Sequence, residues 1–188
     1  AGALVAPLSP NLVRSADPTR LEQALATVEP ALVFAQDSRL YGAALARAAA
    51  RGARVVTVDG RYDDGSGLAF GALANASIDA AVAERRLHLG PDTPAKILFT
   101  SGSSGRPKGV LNTHGNLAAA AEMNRAFGEP LDENRVGVSL DWLPWHHTWG
   151  GNSNFNGVIR SAGSLYIDGG RPLPGRFDET LENLRELS

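Results

Sequence analysis

The chain has 188 residues, a formal charge of -2 and 43 % hydrophobic residues, which suits one domain or a large part of one with a buried core. The balanced charge gives no reason to expect nucleic acid or an anionic membrane as a partner. The absence of cysteine excludes disulfides, thiolate catalysis and cysteine metal sites. The four histidines, His88, His114, His146 and His147, show neither HExxH spacing nor a carboxylate cluster, so no metal site is expected. No apolar run approaches the roughly 20 residues of a bilayer crossing. Residues 1–15 lack the basic start of a secretory signal, which makes the cytoplasm the expected compartment. A start without methionine predicts a fragment of a longer protein.

Residues 18–28 (PTRLEQALATV) read as a short helix with Asp17 as N-cap and Pro18 at the first helical position. Leu21, Leu25 and Val28 share one face. Residues 31–35 (ALVFA) are a continuous apolar run, as expected of a buried strand. Residues 38–51 read as a helix capped by Ser38 and ended by Gly52, and residues 53–59 (ARVVTVD) as a second buried strand. Strand, helix and strand in this order make a βαβ unit and predict a parallel sheet. Residues 60–67 are a loop. Residues 68–94 give mixed signals, with a helix near 77–87 and a turn-rich connector that includes His88. Residues 96–100 (KILFT) read as a strand, 110–114 as an extended segment and 116–127 as a helix, with His114 structural at its start. Residues 136–144 begin as a strand and end in an aromatic loop. Residues 152–162 read as helical despite their asparagines, and 164–168 as a strand. Arg160 and residues 168–171 are expected to be surface features. Residues 177–187 form an amphipathic helix with apolar positions 177, 181, 184 and 187 and no later segment to pack against. The whole predicts an α/β fold with a largely parallel sheet flanked by helices on both faces.

Two stretches carry chemistry. Residues 98–111 read LFTSGSSGRPKGVL, and a flexible turn exposed to solvent is the plain reading. The Walker A order fails, because Lys108 follows Pro107 and precedes Gly109. The dinucleotide fingerprint fails too, because Gly102, Gly105 and Gly109 are wrongly spaced and the next segment is extended. Yet Gly102 and Gly105 let backbone N–H groups approach an anion closely. Thr100, Ser101, Ser103 and Ser104 add hydroxyl donors, and Lys108 adds a point charge. No carboxylate lies in the stretch to repel a polyphosphate. The second stretch, residues 141–156 (DWLPWHHTWGGNSNFN), follows a strand. The end of a parallel strand is where α/β proteins place ligands, and aromatics there can wall an apolar ligand. An aromatic cluster packing a corner of the core is the competing reading.

Residues 99–110, FTSGSSGRPKGV, resemble the signature loop of the adenylate-forming superfamily: acyl-CoA synthetases, luciferases and peptide-synthetase adenylation domains. Only Ser104 departs from the commoner threonine, and it keeps the hydroxyl. The resemblance implies that Thr100, Ser101, Gly102, Ser103, Ser104, Gly105 and Lys108 hold the outer phosphates of ATP, with Lys108 serving catalysis. It also matches Leu143, Pro144, Trp145, His146, His147, Thr148, Trp149 and Gly150 to the family's acyl-pocket motif, with His147 at the motif histidine and, like Lys108, expected to be catalytic. Trp145, His146, His147, Trp149 and Gly150 then line the acid's pocket. The wording LPWHHTWGGNSNFN, with LYIDGGRPLPGRFDETLENLRE behind it, is most similar to the feruloyl-CoA synthase group, which implies an aromatic, hydroxycinnamic acid as substrate.

The resemblance implies ATP, Mg2+ and coenzyme A as co-substrates and cofactors. It makes residues 1–188 part of the large N-terminal domain, with a βαβ-containing subregion at 1–95 and a phosphate-loop and acyl-pocket subregion at 96–188. The 188 residues contain no Tyr-Gly-x-Thr-Glu or Thr-Gly-Asp segment and no C-terminal domain with its lysine. This chain alone is therefore expected not to complete adenylation. An open sheet edge and an unpartnered last helix leave room for a homo-oligomer or segment exchange. Two other readings stay open: a fatty-acyl-CoA ligase or other adenylating enzyme, and a non-catalytic nucleotide-binding fragment.

Overall fold

The computed structural model describes residues 2–62, 65–100, 105–127 and 137–187. It divides into two compact units, Ala1–Leu89 with Phe99–Val110, and Gly90–Leu98 with Leu111–Ser188.

The first unit carries α1 (Pro10–Val13), α2 (Thr19–Val28), β1 (Leu32–Ala35), α3 (Ser38–Ala49), β2 (Arg54–Thr57), β3 (Leu68–Ala69), α4 (Phe70–Ala74) and α5 (Ala80–Leu87). α2 begins one residue later than expected, with Pro18 rather than Asp17 as the cap residue, although Asp17 Oδ1 accepts from the Thr19 amide at 2.9 Å and the Thr19 hydroxyl at 2.6 Å. Pro18 already has helical angles and its carbonyl accepts from the Glu22 amide at 2.9 Å. The cap of α3 is Asp37 rather than Ser38. Its carboxylate reaches the amides of Arg39 and Leu40 at 2.8 and 3.3 Å, which the serine one residue later cannot do from inside the helix. Gly52 ends that segment at φ 89°, in the left-handed region.

Leu21, Leu25, Ala48 and Ala53 form a core that Leu8, Leu12, Val13, Val33 and Ala44 extend. Each buried leucine contributes about 1.5–3 kcal/mol. β1, β2 and β3 pair in that order and in parallel, with Val33 opposite Val55 and Val56 opposite Leu68. Central β2 is buried at Val55, Val56 and Thr57, as its apolar run predicts. β1 departs from the expected buried strand, for Leu32 and Phe34 are 46 % and 52 % exposed. The period of two explains this: Val33 faces the core while its neighbours face the opposite side of an edge strand. There the Phe34 ring meets Phe70 at 5.3 Å.

β4 (Pro94–Thr100) pairs with β5 (Lys108–Thr113), and each contributes residues to both units. The second unit continues with α6 (His114–Phe127), β6 (Val138–Asp141), a π-helix (Trp149–Asn154), α7 (Phe155–Arg160), β7 (Ser164–Ile167) and α8 (Phe177–Leu187). Thr113 and Asn116 exchange side-chain-to-amide bonds at 3.0 and 3.2 Å, a capping box that starts α6 at His114. β6 and β7 are parallel, from Val138 opposite Ser164 to Asp141 opposite Ile167. The expected α/β architecture with parallel pairing is present, its described strands lying in three sheets. None of the described helices is long and apolar enough to cross a membrane.

Asp168 corrects the expectation that residues 168–171 are surface features. It is buried, and its carboxylate accepts from the Gly170 amide at 2.9 Å, the Asn183 amide group at 2.8 Å and the Thr180 hydroxyl at 2.6 Å. It thereby ties the end of β7 to α8, so the last helix has a partner within the chain. The Thr180 hydroxyl, with Gly170 and Asn183, holds the Asp168 carboxyl below its ordinary range despite burial. An Asp168→Ala change is expected to cost about 1–3 kcal/mol in denaturant unfolding at neutral pH, because it orphans three donors. A carboxyl whose folded pKa is lowered gives its full stability above the unfolded value of about 3.9 and loses it as pH falls through the folded value. The gap between variant and wild type should therefore narrow in acid. A gap that is constant with pH would contradict the role of the charged form. Arg160 does remain half exposed at the surface, where it pairs with Glu122 of α6.

Candidate functional site

Thr100 closes β4 and Lys108 opens β5, both exposed. Ser101, Gly102, Ser103 and Ser104 lie outside the described residues. Gly105 has φ 75°, a conformation that disfavours any side chain although the space around it is open. Its carbonyl accepts from Nε of Arg20 on α2 at 3.0 Å. Arg20 thus anchors the far side of the glycine-hydroxyl loop from 85 residues away. No local pattern in the sequence marks it for this role. Thr100, Gly105 and Lys108 all belong to the first unit.

The aromatic-histidine stretch belongs to the second unit. Asp141 ends β6, is buried, and accepts from the Leu143 amide at 2.9 Å. The His147 amide donates to the Pro144 carbonyl at 3.0 Å and closes a turn. The Gly151 amide then donates to the His147 carbonyl at 2.8 Å and leads into the π-helix. A Cβ on Gly150 would stand 2.8 Å from the carbonyl oxygens of Leu143 and Pro144, and one on Gly151 would overlap the Trp145 carbonyl. The paired glycines are therefore what lets the chain fold back on itself here.

Trp145 leans on Phe155 with ring centroids 4.7 Å apart. Trp142, Trp145 and Trp149 are 38 %, 42 % and 66 % exposed, so the cluster is not a packed core corner. His147 is exposed, with its Nδ1 3.5 Å from the Trp149 amide. His146 is half-buried, and burial, helped by the neighbouring His147, holds its imidazole below the ordinary histidine range. It is therefore neutral at neutral pH, able to donate from one ring nitrogen and accept at the other. The structure thus brings Trp145, His146, His147, Trp149 and Gly150 into one turn.

Three residues that the sequence reading passed over lie behind that turn. Lys96 of β4 donates from Nζ to the Gly151 carbonyl at 2.9 Å and to the Asn152 side-chain oxygen at 3.1 Å. The Asn152 amide group, on a buried residue, donates to Asn112 of β5 at 3.3 Å. Partial burial lowers the Lys96 pKa below the ordinary lysine value. The one signal in the sequence is a lysine inside an otherwise apolar strand. Among the described residues no group of three or more His, Asp or Glu side chains is placed to hold a metal ion.

Known proteins resemble this chain in both sequence and fold. It is 40 % identical over 78 residues to 4-coumarate–CoA ligase-like 9 of Arabidopsis thaliana, a match that covers 40 % of this chain and 14 % of that protein. It is 33 % identical over 167 residues to a methyl-dioxo-octahydro-indenyl propanoyl:CoA ligase of Mycobacterium tuberculosis, covering 88 % of this chain and 32 % of that protein. The chain therefore spans about a third or less of the length of these relatives. Its fold matches the crystal structure of ATP-bound MatB from Rhodopseudomonas palustris with a TM-score of 0.61 and 29 % identity, over 87 % of this chain and 34 % of that one. The AMP-binding enzyme family model matches residues 1–186, and the chain belongs to that family.

Proposed function

We propose that this chain is the nucleotide-phosphate and acid-binding part of an ATP-dependent acid–CoA ligase acting on an aromatic, hydroxycinnamic acid, as feruloyl-CoA synthases do. The observation that carries the reading is the sequence between β4 and β5, a strand, a glycine-hydroxyl loop and a second strand opened by Lys108, in a chain of the AMP-binding enzyme family. In this reading residues 1–188 form part of the large N-terminal domain, with the βαβ-containing subregion at 1–95 and the two binding stretches at 96–188.

The reaction has two steps. A carboxylate oxygen of the acid attacks the α-phosphorus of ATP; the new acyl–O–P bond forms as the bond to pyrophosphate breaks. The thiol of coenzyme A then attacks the acyl carbon, gives up its proton and releases AMP. The loop hydroxyls, with the N–H groups at Gly102 and Gly105, bind the outer phosphates, and Lys108 balances the charge that builds on departing pyrophosphate. Mg2+ is expected to arrive with ATP. Trp145 and Trp149 wall the acid, whose ring stacks on apolar surface, while neutral His146 and exposed His147 supply polar contacts. Support for an aromatic acid comes from the partly exposed tryptophans and from the likeness to a 4-coumarate–CoA ligase-like protein.

The test is acid-dependent ATP–pyrophosphate exchange and CoA-thioester formation by the full-length enzyme on a panel of ferulate, 4-coumarate, acetate and long-chain fatty acids. Ferulate and 4-coumarate are expected to lead. A lead by fatty acids would reassign the pocket, and no exchange with any acid would remove the ligase reading. Residues 1–188 expressed alone are expected to show no exchange.

A further inference from the structure

The chain contains two lysines against sixteen arginines, so each position that keeps a lysine invites a reason. Lys108 opens β5 beside the glycine-hydroxyl loop. Lys96, part-buried in β4, has no part in the function proposed above. An ammonium is a compact charge with three donors, whereas guanidinium is a wide planar fork. The Lys96 ammonium meets two neutral oxygens of successive residues, the Gly151 carbonyl and the Asn152 side chain. A cation half out of water without a carboxylate among these partners costs stability that a methionine at the same place would not. Its bonds fall on the tightest point of the aromatic-histidine turn. Gly151 donates to the His147 carbonyl on one side and accepts from Lys96 on the other, with the Trp145 carbonyl in the space a Cβ would take. Asn152 extends the same hold to Asn112 on β5.

We propose that Lys96 is a positioning residue, whose ammonium fixes the π-helical turn at Gly151 and thereby sets Trp145, His146 and His147 toward the acid. This rests on the reading of that turn as the acid's pocket. Lys96 touches no reacting atom in this account; it acts through the Gly151 peptide and Asn152.

In the full-length enzyme, Lys96→Met keeps the length of the side chain and removes the donors. Its kcat/KM for the acid is expected to fall about tenfold or more, since small misplacements near reacting groups are that costly. Its KM for ATP is expected to stay within about twofold, because uniform binding of the nucleotide is untouched. Hydrogen exchange followed by mass spectrometry is expected to quicken about tenfold in the peptide covering residues 144–153 and to stay unchanged in residues 19–49. Asn152→Ala should give the same pattern with a smaller amplitude, and it carries the comparison should Lys96→Met not fold. Unchanged exchange at 144–153 would overturn the proposal. So would acid and ATP constants falling together with faster exchange throughout, the mark of a merely structural lysine. If the wild-type enzyme turns over no acid, the ligase reading falls, while the exchange comparison still decides whether Lys96 holds the turn.

Discussion

Replacing Lys108 by alanine in the full-length enzyme is expected to slow acid-dependent ATP–pyrophosphate exchange by about 10²–10³-fold, the usual effect of removing one preorganised charge partner from a developing anion. The side chain is exposed at the first residue of β5. Its loss should therefore leave the unfolding midpoint in denaturant nearly unchanged, since surface substitutions away from packed features cost within about 0.5 kcal/mol. The two measurements separate chemistry from folding. Lys108→Arg keeps the charge but widens it, and should recover only part of the rate. An exchange rate equal to wild type in Lys108→Ala would remove the loop's role at the phosphates.

The second large effect is on stability. Gly151→Ala is expected to cost about 3 kcal/mol, because the added methyl meets the Trp145 carbonyl, which is backbone and cannot swing away. Gly157 of α7 supplies the control, with no atom within 4 Å of an added Cβ. Gly157→Ala should stabilise by about 0.5–1 kcal/mol through helix propensity alone. Denaturant unfolding of both variants checks the pair. Similar losses in the two would show that the crowding at Gly151 is not the cause.

Periodicity and caps made much of the fold readable in advance. The helix at Phe177–Leu187 follows from its apolar face at 177, 181, 184 and 187, and the parallel β1–α3–β2 unit follows from two apolar runs around a capped helix. β3 and α4 escaped because LAFGALA is apolar almost throughout and shows no period that separates strand from helix. Whether an apolar run is buried was also hidden. ALVFA reads as buried, yet an edge strand turns Leu32 and Phe34 away from the core.

At the candidate site, the sequence points to contiguous stretches but not to the long-range contacts around them. The turn holding Trp145, His146, His147, Trp149 and Gly150 lies within a few residues. Lys96, Asn112 and Asn152 come from three separate elements, and Arg20 reaches Gly105 across 85 positions. Asp168 looked like a surface residue because its partners Thr180 and Asn183 lie a loop and a helical turn away. Three to four residues apart on one helix face is a pattern that becomes meaningful only once the helix is known to fold back.

All three tryptophans of this chain, Trp142, Trp145 and Trp149, lie in the one aromatic-histidine stretch of residues 141–156, and each is partly open to solvent. Selective excitation of indole therefore reads that stretch without an introduced label. An aromatic acid settling beside these rings, as proposed for this stretch, would quench or shift their emission. On the proposed reading of that stretch as the acid's pocket, the indoles of residues 1–188 give an optical readout of acid binding.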